Sequence, residues 1–401
     1  MPSIPSTIIN LPRLKFNGLE QENDRLTFHM DPDKRYHPVC SYCGQPAAPN
    51  RLLNRKVRDL FCFGNVAYVD FKYREVRCVR CGIVIEQLDF TSPYSRVTNR
   101  LAEAVGMMCQ YMNLSEVAAY FQLDWKTVRE IDKQFIRKQL DEIPLEDVRI
   151  IGMDEVARSK GHKYFTLIYD LGNNRLLRII EGRSEKAVAT FFEELGEHCK
   201  NIKAVAVDMW RPFTNVISQY CPMARLVYDK FHIISNYHKL IDIIRRAEFK
   251  KASQEDKQLL KGKRYLLLKN RNKLTAESEQ ELESLLENNK TLNAVYALKE
   301  QLQAVWDNVT VASFHTALDN WCELARETGI TQLKKFADSL ENHRVGLSTY
   351  CLYPINTGVI EAHNYTIANL RRNARGFHDE EYFKLKIFQA INLRKSGKCQ
   401  L

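Results

Sequence analysis

The spacing of apolar and polar residues changes several times along the chain, and each change predicts a different kind of element. Between residues 37 and 90 apolar and polar positions alternate, which is typical of short β-strands. Residues 96–143 have a helical period and contain no proline, until Pro144 marks a boundary. Strand-like and helical stretches alternate from 148 to 229, which is an α/β pattern. From about 230 to 345 the period is helical and the sequence is heavily charged.

Within the α/β region, two apolar runs lead into an aspartate. The run 148–153 precedes Asp154 and the run 204–207 precedes Asp208, so each aspartate is predicted to end a strand. A third acid, Glu361, lies in a helix-like stretch. Further strands are predicted at 164–169, 176–180 and 226–228, and a helix at 185–199.

The composition favours a multidomain protein with a polyanionic partner. A length of 401 residues predicts two or three domains, and 45% hydrophobic residues are enough for their cores. Lysine and arginine number 59 against 49 acidic residues, and the resulting charge of +10 favours a polyanion. There is no apolar run of 18 residues and no signal-peptide pattern, so we expect neither a membrane span nor export. The eleven cysteines are therefore expected to be reduced thiols or metal ligands rather than disulfides.

Two Cys-x-x-Cys pairs, each followed by a glycine, predict a structural zinc site. Such a turn places two thiolates on one side of a tight knuckle, and two knuckles complete a tetrahedral sulfur site. The alternative is four reduced cysteines in a core. Basic and aromatic residues between the pairs favour phosphate contacts, unless they form a solvated basic face. The predicted zinc ligands are Cys40, Cys43, Cys78 and Cys81.

Residues 113–131 have the pattern of a helix-turn-helix, whose second helix enters the major groove of DNA. Ser115 is predicted to cap the first helix and Asp124 the second, with residues 98–112 as a preceding support helix. The alternative is a plain helical hairpin. The side chains predicted to face DNA are Trp125, Lys126, Thr127 and Arg129.

The three acids suit metal-dependent cleavage of phosphodiester bonds. In a ribonuclease-H-like sheet the strands that lead to Asp154 and Asp208 are neighbours, and a helix packed at that edge brings Glu361 to them. Two divalent cations about 3.5–4 Å apart can bind between such carboxylates, with Mg²⁺ expected and Mn²⁺ as a substitute. Glu155 is expected to point to the opposite side of the strand. The alternative is three ordinary strand-end or surface carboxylates.

Other polar residues near the acids are candidates for contacts with DNA. His232 follows Asp229 by three residues at a predicted helix start, and it either contacts a phosphate, positions a nucleophile, or is structural. Trp210 is expected to pack rather than to stack on a base. The arginines predicted to hold the DNA backbone beside the metals are Arg371, Arg372 and Arg375.

Taken in order, these features resemble the ISL-three family of insertion-sequence transposases, which belongs to the wider DDE class. The resemblance covers nearly the whole chain and implies that Asp154, Asp208 and Glu361 are the metal-binding triad. It matches Asp229 and His232 to the family's aspartate/cysteine-x-x-histidine feature. It also implies that the N-terminal modules bind the terminal inverted repeats of the element. The resemblance rests on the knuckles, the helix-turn-helix and five further segments. These are Gly152-Met153-Asp154-Glu155, Val207-Asp208-Met209-Trp210, Asp229-x-x-His232, Thr357-Gly358-Val359-Ile360-Glu361 and the tail from Asn364 to Phe377. Thr357-Gly358 stands where the family usually has Asn-Gly.

The fold class that follows is a multidomain α/β protein. An N-terminal zinc-knuckle domain and a helix-turn-helix precede a ribonuclease-H-like α/β catalytic core with an all-helical insertion. The predicted divisions are 1–36 for a short N-terminal segment, 37–92 for the knuckle domain, 96–143 for the helix-turn-helix, 148–236 for the first part of the core, 237–345 for the helical insertion, and 346–401 for the last part of the core with the catalytic glutamate helix.

The expected function is that of a DNA transposase, which binds the terminal inverted repeats of its insertion sequence and catalyses metal-dependent cleavage and strand transfer. The expected partners are double-stranded DNA, both element ends and target, and further protomers in a homodimer or higher homo-oligomer. The expected location is the bacterial cytoplasm, at the nucleoid. Two alternatives stay open: a non-catalytic DNA-binding regulator descended from a transposase, and a structure-selective nuclease on the same core.

Overall fold

A computed structural model describes residues 11–140, 143–159, 163–355, 357–374 and 376–393, apart from the side chains of residues 158, 159, 255, 256 and 259. The chain divides into two compact units. The first unit comprises Met1–Asp141 and Arg371–Gln389, and the second comprises Glu142–Leu370 and Ala390–Leu401. Both units are therefore built from segments that are discontinuous in sequence.

A five-stranded sheet forms the N-terminal part of the first unit. Its order is β1-β2-β4-β3, and β5 pairs with β4. Val69 and Phe71 on β4 are fully buried between more exposed neighbours, which confirms the predicted strand alternation. The strands are β1 (Leu14–Glu22), β2 (Arg25–Pro32), β3 (Ala48–Arg58), β4 (Val66–Cys78) and β5 (Gly82–Ile85).

The N-terminal segment is part of this sheet. Strand β2 pairs in parallel with β4, from Arg25 opposite Val66 to Met30 opposite Phe71. The predicted boundary after residue 36 therefore does not separate the segment from the cysteine region. The physical reason is the buried residues of β2, such as Leu26, Phe28 and Met30, which need a partner strand and a core to cover them.

Three helices follow the sheet: α1 (Asn99–Met108), α2 (Leu114–Phe121) and α3 (Trp125–Gln139). Asp124 caps α3 as predicted, because its side chain accepts a hydrogen bond from Lys126 N at 2.9 Å. The cap of α2 is Asn113 and not Ser115. Asn113 Oδ1 accepts from Glu116 N at 3.0 Å, and Glu116 Oε2 accepts from Asn113 N at 3.1 Å, which is a complete capping box.

The second unit contains a mixed five-stranded sheet of order β10-β9-β6-β7-β8. Strand β6 pairs in parallel with β9, and β9 in parallel with β10. Strand β7 is antiparallel to both of its neighbours, β6 and β8. The predicted strands are confirmed with small changes at their ends. They are β6 (Ile150–Ser159), β7 (Lys163–Asp170), β8 (Arg175–Glu181), β9 (Ala204–Val207) and β10 (Arg225–Tyr228).

Two helices accompany this sheet, α4 (Glu185–Leu195) and α5 (Arg211–Tyr220). The predicted helix at 185–199 is too long. It ends at Gly196, which has φ +51°, and a 3₁₀ turn continues to Asn201.

Helices occupy most of the sequence after β10, as the period predicts. Trp321 is buried at their centre and donates a hydrogen bond to Leu298 O at 2.8 Å, while Tyr237 donates to Val295 O at 2.9 Å. No helix within the described ranges is long and apolar enough to cross a membrane. The helices are α6 (Lys230–Lys251), α7 (Gln254–Leu260), α8 (Arg264–Leu268), α9 (Ala276–Glu287), α10 (Lys290–Val305), α11 (Val311–Glu327), α12 (Thr331–Asn342) and α13 (Arg344–Ser348).

The C-terminal helices are α14 (Gly358–Asn373) and α15 (Glu380–Phe388), followed by a π-helical turn, Gln389–Leu393. The predicted core segment 346–401 is divided, because Arg371–Gln389 belongs to the first unit. There Lys386 Nζ lies 3.1 Å from Asp132 Oδ2, and Tyr382 donates to the same oxygen at 2.6 Å. Asp132 is fully buried on α3, so α15 supplies the partners that its charge requires.

Candidate active site and metal centre

Asp154 lies inside β6, close to the level at which the neighbouring strand β9 ends. Ile150 is opposite Ala204 and Gly152 is opposite Ala206. Continuing this register by two residues places Asp154 opposite Asp208. Asp154 does not end its strand as predicted, because β7 pairs with β6 on the other edge as far as Ser159.

The carboxylate of Asp154 is mostly buried and is held from two sides. Asn364 Nδ2 on α14 donates to Oδ2 at 2.5 Å, and His232 Nε2 lies 3.7 Å from Oδ1. Burial raises the pKa of Asp154, an effect that His232 opposes and the negative charge of Asp229 reinforces. The site therefore favours a positive charge or a proton near this carboxylate.

Asp229 and His232 form the second part of the site, at the start of α6. Asp229 caps the helix by accepting from Phe231 N at 2.9 Å, and Thr357 Oγ1 donates to it at 2.8 Å. Its Oδ2 lies 3.7 Å from His232 Nε2. One ring nitrogen of His232 is thus equally distant from an oxygen of Asp154 and an oxygen of Asp229.

Glu361 lies in the first turn of α14. Burial raises its pKa, the charges of Asp229 and Asp154 raise it further, and His232 lowers it. The charges of Asp229, His232 and Asp154 therefore all act on the Glu361 carboxyl. We call Asp154, Asp229, His232 and Glu361 the acidic cluster.

Asp208 follows β9, and its Oδ1 accepts from Met209 N at 2.6 Å. Its charge acts on Glu155, whose pKa is raised first by burial, against the effect of Arg183, and then by Asp154 and Asp208. Glu155 is paired with Arg183 at 3.1 Å. The Arg183 guanidinium also lies 4.8 Å from the centre of the Trp210 ring, but Trp210 is 40% exposed, so its expected packing stays a prediction.

Four cysteines form a second site, which we call the cysteine centre. The Sγ atoms of Cys40, Cys43, Cys78 and Cys81 all lie within 4.8 Å of one another. Two of the four are not buried, which argues against ordinary packing of reduced thiols in a core. The glycines that follow the pairs have φ of +68° and +76°, so each knuckle uses the backbone freedom of its glycine.

The two sites differ in how closely their ligand atoms approach. Among the described residues, only the cysteine centre brings three or more His, Cys, Asp or Glu ligand atoms close enough to share one ion. The three predicted catalytic acids do not approach each other as closely. The reason is that carboxylates repel each other. Hydrogen bonds from Asn364 to Asp154 and from Thr357 to Asp229 hold these two acids in place despite that repulsion.

The predicted DNA-facing residues lie in the first turns of α3. Trp125 is 47% exposed, Lys126 is exposed and Thr127 is half-buried. Arg129 faces outward only in part. Its guanidinium lies 5.4 Å from the Trp125 ring centre and pairs with Glu130 at 3.1 Å and with Asp379 at 3.5 Å.

Arg371 and Arg372 lie in the last turn of α14. Both belong to the first unit, whereas Glu361 on the same helix belongs to the second. Arg375 lies outside the described residues. Their predicted contact with the DNA backbone stays a prediction.

Two contacts of the acidic cluster were not predicted. Asn364 follows Glu361 by three residues and so lies on the same helix face, a spacing that signals a shared site. Thr357 directly precedes α14, and nothing in its local sequence indicates a bond to Asp229.

Comparison with known proteins gives matches along most of the chain. A family model described as transposase, for the DDE domain of the ISL3 family, matches residues 151–387. A second, described as the helix-turn-helix domain of transposase family ISL3, matches residues 86–136. The chain is 34% identical over 378 residues to the transposase for insertion sequence element IS1001 of Bordetella parapertussis, covering 93% of each chain.

More distant matches extend the comparison. The transposase for insertion sequence element IS1557 of Mycobacterium tuberculosis is 24% identical over 371 residues, covering 85% of this chain and 83% of the relative. A solved structure, the Drosophila P element transposase strand transfer complex, matches with a TM-score of 0.38 at 12% identity. That match covers 74% of this chain and 92% of the other.

Proposed function

Because the chain belongs to the ISL3 family of DDE transposases, we propose that Asp154, Asp208 and Glu361 are the acids with which it cleaves and joins DNA. The chain is the transposase of an insertion sequence, with a helix-turn-helix region and a DDE region. The observation that carries the proposed triad is the parallel register of β6 and β9, which would bring Asp154 opposite Asp208 if it continued for two residues beyond the last pair, Gly152 and Ala206. The charge of Asp154 also acts on the Glu361 carboxyl, which supports grouping Glu361 with Asp154.

We further propose that the second unit is a ribonuclease-H-like core with a helical insertion at 237–345. The sheet order β10-β9-β6-β7-β8, with β7 alone antiparallel to the rest, supports this assignment. It puts the first and fourth strands of the core side by side, so residues from distant segments meet at one sheet edge.

Asp154, Asp208 and Glu361 would hold two Mg²⁺ or Mn²⁺ ions. Their oxygen donors fit hard cations, and burial, with a further contribution from neighbouring carboxylates, raises the pKa of Asp154 and of Glu361. Bound there, the ions would supply an activated water or DNA 3′-hydroxyl and stabilise the leaving oxygen.

The remaining residues of the site position these groups. Asn364 fixes one oxygen of Asp154 and so sets the orientation of the carboxylate. His232 lies between two aspartates and presents a ring nitrogen suited to contact a phosphate of the DNA. Because His232 acts beside the triad and not within it, its loss should reduce cleavage only in part.

We also propose a structural zinc ion in the cysteine centre. Four sulfur donors within 4.8 Å match a closed tetrahedral site, and their two knuckles have the spacing and glycines typical of one. The ion would join β4 and β5 to the Cys40 knuckle.

The DNA recognised is proposed to be the terminal inverted repeats of the element, through Trp125, Lys126, Thr127 and Arg129. Pairing two ends requires at least two protomers, so we propose a homodimer or larger assembly on DNA. The place of action would be the bacterial cytoplasm, where the nucleoid supplies ends and targets.

Cleavage of a labelled duplex that carries the inverted repeat tests the triad. Asp154→Asn, Asp208→Asn and Glu361→Gln should each abolish Mg²⁺-dependent cleavage while leaving binding to the repeat intact. Their losses should not add, because the acids act as a unit. Asp307→Asn, at an exposed acid of the helical region, is the matched control. Full activity of Asp208→Asn would show that the triad is wrong.

A further inference from the structure

Two aromatic side chains of the first unit, Phe63 and Tyr94, occupy a backbone conformation that bulky residues rarely adopt. Their φ angles are +49° and +59°. Left-handed backbone is unfavourable for residues with a Cβ, and it is an outlier for large ones. The two side chains are also 90% and 94% exposed, so they bury little surface in compensation. Strain without a packing gain indicates a role outside the fold.

Phe63 lies at the tip of a two-residue hairpin turn. Cys62 N donates to Asn65 O at 3.0 Å, and Asn65 N donates to Cys62 O at 2.9 Å. Gly64, the second tip residue, has φ +80°. Two positive φ angles define a type I′ turn, where Asn or Gly is usual at the first position. Asparagine would form this turn with less strain, so the turn itself does not require phenylalanine.

Tyr94 repeats the pattern in a turn of another type. Ser95 N donates to Ser92 O at 3.1 Å, and Pro93 precedes Tyr94. Proline followed by a residue of positive φ is the signature of a type II turn, where glycine is usual at the second position. Glycine would form this turn with less strain, so the turn itself does not require the side chain of Tyr94.

Both turns are held firmly by arginines of β3. Arg58 donates to Ala67 O at 3.1 Å and to Phe121 O at 3.4 Å, which ties the root of the Phe63 hairpin to α2. Arg55 donates to the carbonyl oxygens of Ser92 and Ser95, on either side of Tyr94.

Aromatic packing fixes the Phe63 loop further. The ring of Phe61 lies 6.4 Å from that of Phe121, with an angle of 11° between the ring planes. Phe63 is thus an exposed ring in a loop that is held against α2 of the helix-turn-helix. Tyr94 is in a similar position, because its turn leads directly into the Thr98 cap of α1.

The chemistry of a partner follows from the cations that the same unit exposes. Arg96, two residues after Tyr94, and Lys126, at the start of α3, are exposed and belong to the first unit with both rings. Exposed aromatic rings and exposed cations in one unit suit nucleic acid, since cations bind phosphates and rings stack on or wedge between bases. We propose that Phe63 and Tyr94 contact bases of the bound duplex that are locally unstacked. This inference rests on the proposed DNA binding by the first unit.

The test uses the full-length protein and a duplex carrying the terminal inverted repeat, with 2-aminopurine placed at successive positions. Wild-type protein should raise the fluorescence at one or more positions, because an unstacked 2-aminopurine is no longer quenched. Phe63→Ala and Tyr94→Ala should each abolish the rise at one position. Each should also weaken binding by about 5- to 100-fold, the range expected for losing one stacking contact.

A second pair of variants separates recognition from folding. Phe63→Asn and Tyr94→Gly keep the turn geometry and relieve its strain. Their thermal midpoints should equal or exceed that of the wild type, while the fluorescence rise is lost as in the alanine variants. Tyr265→Ala, at an exposed tyrosine of the second unit, is the matched control and should change neither.

Several results would overturn the proposal. An unchanged fluorescence rise in the alanine variants would exclude base contact. Lower thermal midpoints for Phe63→Asn and Tyr94→Gly would show that the two rings stabilise the fold, which would remove the strain argument on which the proposal rests. A changed oligomeric state with unchanged fluorescence would assign the rings to contact between protomers. In each case Asp208-dependent cleavage by the wild type would still support the transposase site, so the two hypotheses fail separately.

Discussion

The cysteine centre and the acidic cluster are both candidate metal sites, but the chain assembles them differently. Each cysteine pair is three residues apart, so one tight turn places two ligands at once. The two turns need only the β4–β5 hairpin and one further loop to meet, and all four sulfur atoms lie within 4.8 Å. Local backbone geometry therefore builds most of this site.

The acidic cluster is assembled by tertiary structure. Asp154 comes from β6, Asp229 and His232 from the start of α6, and Glu361 from α14. Gathering carboxylates in a partly buried place is unfavourable, and the raised pKa values of Asp154 and Glu361 record that. The difference implies that substitutions in the cysteine centre should destabilise the fold. Substitutions in the acidic cluster should instead reduce DNA cleavage and raise the stability of the folded protein.

The largest effect is expected from the cysteine centre. Cys40→Ser with Cys78→Ser removes one ligand from each knuckle, and the loss of zinc should remove on the order of 10 kcal/mol of metal-linked folding free energy. Metal analysis should show about one zinc per wild-type chain and none in the variant, and hydrogen exchange of residues 37–90 should rise strongly. Cys62→Ser, outside the centre, is the control. Unchanged zinc content in the double variant would rule out these ligands.

A smaller loss of folding stability is expected from breaking the buried ion pair between Lys386 and Asp132. Lys386→Met leaves the fully buried Asp132 with Tyr382 as its remaining partner within the described ranges, which should cost about 3–5 kcal/mol. Hydrogen exchange of α3 and α15 should report this. Adding Asp132→Asn should restore most of the loss, because the unpaired charge is gone. If the double variant is no more stable than Lys386→Met alone, buried charge is not the cause.

Features that depend on a few neighbouring residues could be predicted from the sequence. The strands, the grouping of the four cysteines and the Asp124 cap follow from alternation, spacing and capping chemistry over a few residues. The sequence pattern misplaces the cap of α2, because both Ser115 and Asn113 are good caps. Only the reciprocal bond with Glu116 at three residues' distance distinguishes them.

Features that depend on distant segments could not be predicted in the same way. Lys386 and Asp132 are 254 residues apart, and neither has a local pattern that indicates the other. The same holds for Arg129, whose pairing with Asp379 makes it less available than its helix position suggests. Strand pattern and family resemblance predict the three acids, whereas the hydrogen bond from Asn364 to Asp154 depends on the packing of α14 against β6.

A moderate effect is expected from the residue that orients Asp154. Asn364→Ala removes the hydrogen bond to Oδ2 and should weaken Mn²⁺ binding about 10- to 100-fold, as is typical when a residue supporting a metal ligand is lost. Mn²⁺ titration followed by electron paramagnetic resonance measures this without any DNA. Tyr365→Ala, at an exposed position of the same helix, should bind Mn²⁺ as the wild type does. Equal or tighter binding by Asn364→Ala would contradict a positioning role.

The smallest effect is a gain of stability in the acidic cluster. Because the folded-state pKa of Asp154 is raised, the folded protein holds more protons than the unfolded chain between pH ~4 and the raised pKa. Metal-free stability should therefore be greatest at the acid end of this window and fall as the pH rises through it. Asp154→Asn keeps an oxygen that accepts the Asn364 hydrogen bond but carries no charge. At neutral pH it should be more stable than the wild type by about 0.5–2 kcal/mol, with a flatter pH profile.

Calorimetry of the metal-free proteins from pH 4 to 8 measures this, and Mg²⁺ supplies the internal check. Addition of Mg²⁺ should raise the melting temperature of the wild type, because an ion bound only to the folded state stabilises it. The same addition should have much less effect on Asp154→Asn. If Asp154→Asn melts lower than the wild type at neutral pH, Asp154 supports the fold as the cysteines do, and the contrast between the two sites does not hold.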